Sequence, residues 1–217
     1  MLNINTIRIE NTFPEVFANR SDLISEVWQH DISFEREHLY LIEANSGTGK
    51  SSLCSFIYGY RVDYQGMISF NGQNIRNLSI RDWVELRQRH ISLLFQDLRL
   101  FPELTAFENV QIKNKLTGYK TKKDILQWFD ELGIADKVNS PLALMSFGQQ
   151  QRVAMMRALV QPFDFLFVDE PISHLDDTNS RLMADIMMEE AGRQGAGVVV
   201  TSIGKHMDLQ YNQTFRL

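Results

Sequence analysis

Short apolar runs rich in β-branched and aromatic residues alternate along the chain with longer segments whose apolar residues recur at helical spacing. Such short runs predict buried strands, and their alternation with helices is typical of parallel strands joined by crossover helices. The pattern therefore predicts an α/β fold. Strands are predicted at residues 6–9, 32–34, 39–42, 67–70, 91–95, 165–168 and 198–201, and helices at 49–60, 80–88, 123–132, 149–160 and 180–191.

Two segments modify this regular alternation. The pair Asn71-Gly72 lies between apolar residues and predicts a tight hairpin turn, so the N-terminal strands are expected to be antiparallel. Residues 98–148 carry almost no strand-like sequence and predict a helical subdomain inserted in the α/β core. At about 150 residues per domain as a prior, we expect one domain over residues 1–217.

Composition narrows the classes of function. The 217 residues carry a formal net charge of −5, which disfavours a nucleic-acid partner because such proteins usually present a basic face. The one cysteine, Cys54, cannot form an internal disulfide and fits a reducing compartment. The N-terminus lacks a secretory pattern, and no apolar run approaches the roughly 20 residues that cross a bilayer. We expect a cytoplasmic protein that relies on a separate subunit for any membrane span.

A glycine-rich loop between a predicted strand and a predicted helix carries the first candidate chemistry. It nearly matches the G-x-x-x-x-G-K-[ST] phosphate loop in its required strand–loop–helix setting. Glycines let backbone N–H groups turn toward phosphates, and the start of a helix adds positive partial charge. Lys50 is expected to reach the β- and γ-phosphates of ATP, and the Ser51 hydroxyl to ligate Mg²⁺. The expected nucleotide-binding residues are Ala44, Asn45, Ser46, Gly47, Thr48, Gly49, Lys50, Ser51 and Ser52.

Ala44 stands where the phosphate-loop pattern has its first glycine. If that position requires a positive φ angle, alanine costs about 1 kcal/mol there; otherwise it costs little. The loop is expected to bind phosphate in either case.

A second candidate feature is an apolar run that ends in Asp169 and Glu170. A strand that ends in carboxylates directs them into the crevice where α/β proteins bind ligands. Asp169 suits the coordination of Mg²⁺, and Glu170 is placed to activate a water molecule as a general base. Taken with the phosphate loop, the pair predicts an ATP-hydrolysing site.

Three further motifs carry a family resemblance. Residues 145–152, MSFGQQQR, resemble the LSGGQ signature of ATP-binding cassette (ABC) transporter ATPases, Gln96 resembles the family's Q-loop glutamine, and residues 173–176 resemble its D-loop. The motifs occur in the family's order, and the resemblance covers the whole chain. It implies a P-loop NTPase core with a mostly parallel sheet, an antiparallel N-terminal β part and a helical signature subdomain.

The resemblance also implies partners and ligands. Two cassettes, expected to be identical, would pack head to tail with ATP sandwiched between them. The residues expected to meet the nucleotide held by the partner are Ser146, Gly148, Gln149 and Asp176. Gln96 is expected to contact Mg²⁺ or the attacking water and to report the nucleotide state to the membrane partner. The expected Mg²⁺ ligands are Ser51, Gln96 and Asp169.

Several positions leave alternatives open. Adenine is expected to stack on Phe17, with Phe13 as the rival and a core role open for both. Phe147 replaces the first signature glycine and is expected to alter packing rather than abolish function.

Ser202 stands where the family has a histidine that contacts the γ-phosphate, so we expect Ser202 to take this catalytic place and hydrolysis to be slow. His206 could substitute only if the loop is reshaped.

The run at residues 94–110 is similar to the cell-division ATPase FtsE and to the lipoprotein-release and macrolide-export ATPases. This similarity favours a cassette that lies peripherally on the inner face of the cell membrane and drives a separate integral membrane permease. A cell-division scaffold and a weakly active nucleotide-binding cassette remain alternatives. The apolar residues Leu100, Phe101 and Phe107 predict either a groove for the membrane subunit or a local core.

Overall fold

The computed structural model describes residues 3–20, 23–172 and 175–217. Within these ranges strands and helices alternate along most of the chain. The strands are β1 (Thr6–Pro14), β2 (Ile32–Glu35), β3 (Leu39–Glu43), β4 (Tyr64–Phe70), β5 (Gln73–Asn74), β6 (Ile91–Leu94), β7 (Phe165–Asp169), β8 (Gly197–Ser202) and β9 (Gln213–Arg216). The α-helices are α1 (Lys50–Ile57), α2 (Ile80–Arg89), α3 (Ala106–Asn114), α4 (Lys122–Glu131), α5 (Phe147–Leu159) and α6 (Asp177–Gln194).

A five-stranded parallel sheet lies at the centre, in the order β6-β7-β8-β3-β9. In register, Asp169 at the end of β7 pairs with Thr201 of β8, and Glu43 at the end of β3 pairs with Ser202. The carboxyl ends of β3, β7 and β8 therefore lie side by side, which is where α/β proteins bind ligands. The predicted α/β fold is confirmed.

The N-terminal strands form a separate sheet in the order β2-β1-β4-β5. Its pairings are antiparallel, as predicted. The turn between β4 and β5 contains Asn71 at φ 49° and Gly72 at φ 82°, two consecutive left-handed residues as a tight hairpin turn requires. The predicted hairpin is therefore present.

Two apolar clusters fill the two faces of the parallel sheet. Side chains of β7 alternate between them, with Leu166 and Val168 in one cluster and Phe165 and Phe167 in the other. Because successive strand residues point to opposite faces, a strand covered on both sides reads as a continuous apolar run. Each such buried side chain contributes about 1.5–3 kcal/mol to stability. Packing of this apolar run on both faces therefore holds β7, the strand that carries Asp169, in a fixed position.

The chain between β6 and β7 is helical, as the sequence predicts, and the described residues form only an isolated bridge there, between Thr105 and Pro141. Three of its helices begin with a reciprocal capping box: Thr105 with Glu108 at α3, Thr121 with Asp124 at α4 and Ser146 with Gln149 at α5. The sequence prediction did not give α3 as a separate helix. Its Thr-x-x-Glu signature is the local signal that identifies the start.

Helix ends differ from the prediction where caps decide them. Helix α1 ends at Ile57 rather than residue 60, because Gly59 has φ 71°. Helix α6 is longer than predicted, since Asp176 caps its start and Gly195 ends it at φ 58°.

In the described part of the chain no helix combines the length and apolar character that a membrane crossing requires.

Candidate nucleotide site

The phosphate loop joins β3 to α1, so the first amides of α1 face the loop. Gly47 has φ 79° and Gly49 has φ 104°, conformations that favour glycine. A Cβ atom on Gly49 would lie 2.9 Å from Cε2 of Phe17 and 3.0 Å from Cζ2 of Trp28. Ala44 does not have a positive φ angle. Alanine in place of the pattern's first glycine therefore causes no left-handed backbone strain.

Lys50, the first residue of α1, is buried within the site. Its Nζ lies 3.3 Å from Oε1 of Glu170 and 3.4 Å from the carbonyl oxygen of Asn45. A nearby hydrogen bond from Thr48 Oγ1 to the Asn45 carbonyl, 2.9 Å long, closes the loop. The lysine therefore links the phosphate loop to the end of β7.

Trp28 is a residue of the site that sequence reasoning missed. Its indole Nε1 donates a 2.9 Å hydrogen bond to the carbonyl of Thr48, and its ring packs edge-on against Phe56 of α1. The Trp28 side chain is buried, so this hydrogen bond helps to hold the phosphate loop in position. A lone tryptophan before β2 carries no motif that would have predicted the contact.

The carboxylates after β7 are held by β8. Thr201 Oγ1 donates a 2.6 Å hydrogen bond to Oδ1 of Asp169, which is buried. Glu170 has φ 50° and donates its N–H to the Thr201 carbonyl over 3.2 Å. A left-handed conformation at a non-glycine residue costs about 1–3 kcal/mol and persists where the surroundings impose it, as they often do at active sites.

A cleft of about 300 Å³ brings most of the predicted residues together. Phe17 lines this cleft, whereas Phe13 packs against one of the apolar cores. Of the two rivals for adenine stacking, Phe17 is the one that lines the cleft, and its contact with adenine stays a prediction. The cleft is lined by Val16, Phe17, Ser46, Gly47, Gly49, Lys50, Ser51, Ser52, Gln96, Glu170 and Ile203.

The three predicted Mg²⁺ ligands line an adjoining cleft of about 290 Å³. Oγ of Ser51 lies 3.4 Å from Oε1 of Gln96, and Asp169 shares the same cleft. A hydroxyl, an amide oxygen and a carboxylate are oxygen donors of the kind that Mg²⁺ prefers. These residues fit the cation that the fold family implies.

Ser202 does not line the nucleotide cleft; Ile203 does. The Ser202 side chain is 2% exposed, and its hydroxyl donates to the carbonyl of Lys205 in the same loop. The ring of His206 packs edge-on against Tyr211, with Nδ1 3.0 Å from the Met207 carbonyl. Neither residue occupies the expected place of the family's histidine, so the catalytic role of Ser202 stays a prediction without geometric support.

The signature motif forms the start of α5 and does not line the cleft that holds the phosphate loop. Ser146 caps the helix reciprocally with Gln149, which places the amides of Phe147 and Gly148 in the exposed first turn. In the D-loop, Asp176 caps α6 by accepting from the Asn179 N–H at 2.8 Å, which lowers the pKa of the Asp176 carboxyl. Residues 173 and 174 lie outside the described residues. Neither the signature residues nor Asp176 line the phosphate-loop cleft of their own chain.

A parallel sheet with a phosphate loop, two acids after a central strand and a helical signature segment defines a cassette ATPase. A family model described as "ABC transporter" matches residues 29–173. This chain belongs to the ABC transporter family, as an ATP-binding cassette, and the predicted ATPase class is confirmed.

Named relatives agree with this assignment. The chain is 26% identical over 200 residues to the ABC transporter ATP-binding protein YtrE of Bacillus subtilis, covering 91% of this chain and 87% of the relative. It is 29% identical over 176 residues to the lipoprotein-releasing system ATP-binding protein LolD of Francisella tularensis, covering 79% and 76%. The predicted similarity to the lipoprotein-release branch is therefore confirmed.

A solved structure confirms the cassette fold. The dimeric structure of MJ0796, described as a bacterial ABC transporter cassette, superimposes with a TM-score of 0.74 at 23% sequence identity. The match covers 90% of this chain and 87% of that one.

Proposed function

We propose that this cassette binds ATP with Mg²⁺ between its phosphate loop and Glu170, and hydrolyses it as a head-to-tail homodimer. The observation that carries the proposal is the arrangement of Lys50, Ser51, Gln96 and Glu170 around one cleft, with Asp169 in the cleft beside it. The exposed first turn of α5, which carries the signature, does not line this cleft, and this supports a site completed by a second copy. MJ0796, the related cassette, is described as a dimer.

Each residue has a chemical role in this proposal. Lys50 and the amides at the start of α1 stabilise the phosphate charge. Ser51, Gln96 and Asp169 would hold Mg²⁺, which would supply positive charge next to the phosphates. Glu170 accepts a proton from the attacking water. Phe17 stacks on adenine, and the amides at Phe147 and Gly148 contact the nucleotide of the partner copy.

The proposed membrane contact is a groove of about 250 Å³ between the chain that follows α1, helices α3 and α5, and the loop after β6. Of the three apolar residues predicted for this role, Phe101 is 49% exposed, whereas Leu100 and Phe107 are partly buried against the core. The prediction thus narrows to Phe101, which does not line the groove itself but follows Arg99, a lining residue, by two positions in the chain. The groove is lined by Tyr58, Tyr60, Leu93, Phe95, Arg99, Ile112, Lys113, Leu116, Arg157 and Ala158.

Charge indicates what this groove takes. Three cationic side chains line it; Arg99 is paired with Asp97 over 3.2 Å, and no carboxylate lines the groove itself among its described residues. Burial, together with repulsion from Arg157, lowers the pKa of Lys113 to about 7. Arg99 stacks on Phe95 at 4.0 Å. We expect an acidic amphipathic helix of a separate membrane-spanning subunit, which would hold the cassette peripherally on the inner face of the membrane.

Slow turnover is the second component of the proposal. The Ser202 hydroxyl is engaged within its own loop, which supports a site that lacks a side-chain contact from this position to the γ-phosphate. Losing one well-placed contact to developing charge costs about 3 kcal/mol, or roughly a hundredfold in rate. We therefore expect ATP affinity typical of the family with low basal hydrolysis.

The test is phosphate release by the purified chain with ATP and Mg²⁺, with EDTA, and for Lys50→Ala. We expect release that requires Mg²⁺ and falls at least about a hundredfold in the variant. Release unaffected by EDTA or by Lys50→Ala would contradict the proposal. For the membrane contact, Phe101→Asp should reduce recovery in the membrane fraction when the membrane subunit is co-expressed. Ile24→Asp, at an exposed position outside the groove, is the matched control.

A further inference from the structure

The loop after β8 departs from the family at position 202 and makes a different set of contacts. Ser202 donates to the Lys205 carbonyl, and the Lys205 N–H donates to Ile203 over 2.9 Å. Gly204 at φ 71° allows this tight turn. The turn fixes the backbone of Lys205 and leaves its side chain to extend toward α6.

The Lys205 ammonium joins this loop to the D-loop. Its Nζ lies 3.3 Å from the carbonyl oxygen of Leu175 and 2.8 Å from Oδ1 of Asp177, the first residue of α6. Leu175 is buried, and its N–H donates to Ile172 at 3.2 Å. One end of the segment that follows Glu170 is therefore tied to Lys205.

The other end of that segment is tied to the same strand. Glu170 donates its N–H to Thr201, and Thr201 donates its hydroxyl to Asp169. The chain from Glu170 to Asp177 is thus attached to β8 and its loop at both ends. A shift of the loop would change the position of Glu170, and small misplacements of a catalytic group have large effects on rate.

We propose that Lys205 is a positioning residue for ATP hydrolysis, which holds the segment after Glu170 through Leu175 and Asp177 in a chain that lacks the family's histidine at position 202. The inference rests on the proposed function. Lys205 and Asp177 are 52% and 82% exposed, so their ion pair adds little to stability. Its contribution is to the geometry of the attack, which affects the transition state more than ATP binding.

The test is steady-state hydrolysis by Lys205→Ala, Lys205→Arg and Asp177→Asn, with melting temperatures measured in parallel. We expect Lys205→Ala to lower kcat about threefold or more with KM nearly unchanged, the pattern of an interaction felt in the transition state. Lys205→Arg should restore most of the rate, and Asp177→Asn should cause part of the loss. His206→Ala is the matched control in the same loop, and its kcat should equal that of the wild type.

Four results would overturn the inference while leaving the proposed function intact: an unchanged kcat in Lys205→Ala, a loss that follows the melting temperature, no rescue by arginine, or an equal loss in His206→Ala. An inactive wild type would instead contradict the proposed function, and this inference with it.

Discussion

Nζ of Lys50 lies 3.3 Å from Oε1 of Glu170, with the lysine side chain 5% and the glutamate side chain 10% exposed. The pair joins the start of α1 to the residue after β7, so the lysine proposed to bind phosphate and the glutamate proposed as general base lie together at a mostly buried position. Each charge is compensated by the other, and removing one leaves the other uncompensated at a mostly buried position.

We predict that Lys50→Ala lowers the free energy of unfolding in nucleotide-free buffer by about 2 kcal/mol, because the Glu170 carboxylate loses its cation. Glu170→Gln in the same chain should recover most of that loss, since the neutral amide needs no counter-charge. Urea unfolding of the two single variants and the double variant measures the coupling. Strictly additive effects would contradict a direct interaction.

The hydrogen bond from Trp28 to Thr48 gives a second prediction. Trp28→Phe keeps an aromatic ring but removes the indole N–H, which leaves the phosphate loop less well positioned. We expect ATP to bind about three- to tenfold more weakly, the loss typical of one hydrogen bond. Isothermal titration calorimetry measures the affinity. Trp83→Phe, in α2 beside Gly59, is the matched control, and an equal loss there would show a general effect of tryptophan removal.

The low pKa of Lys113 makes stability depend on pH. The pKa near 7 in the folded chain lies below the ordinary value of 10.5, so between these values the unfolded chain binds more protons. The free energy of unfolding contributed by this group therefore rises from pH 7 toward 10.5, and its full penalty is present below pH 7.

Lys113→Met should remove that rise, so the stability gained over wild type is largest near pH 7 and declines as the pH increases. Denaturant unfolding at several pH values measures the difference. Lys123→Met, at an exposed position in α4, should leave the slope of wild type unchanged. A difference between Lys113→Met and wild type that does not vary with pH would refute the assignment.

Much of the site could be predicted because its chemistry is local. The phosphate loop, Gln96, Asp169 and Glu170 each lie directly after a predicted strand, and the parallel sheet brings the ends of those strands together. The spacing of Thr105 and Glu108 also indicates the start of α3, although this helix was not among those predicted.

Other features depend on contacts that no spacing reveals. Trp28 reaches Thr48 from a segment without regular periodicity. The turn that ends at Lys205 determines where the Ser202 side chain points. Alignment with the family's histidine therefore predicted the place of Ser202 in the chain but not the group that its hydroxyl contacts. The D-loop aspartate Asp176 likewise caps α6 within its own chain.

The most direct test of the account is the oligomeric state of Glu170→Gln with ATP. The variant keeps the groups that bind nucleotide but cannot activate water, so ATP should persist between two copies. Size-exclusion chromatography with light scattering should give a mass near twice 25.2 kDa with ATP and Mg²⁺, and 25.2 kDa without nucleotide. A variant that stays at 25.2 kDa with saturating ATP, and hydrolyses it as fast as wild type, would contradict both the shared site and the role of Glu170.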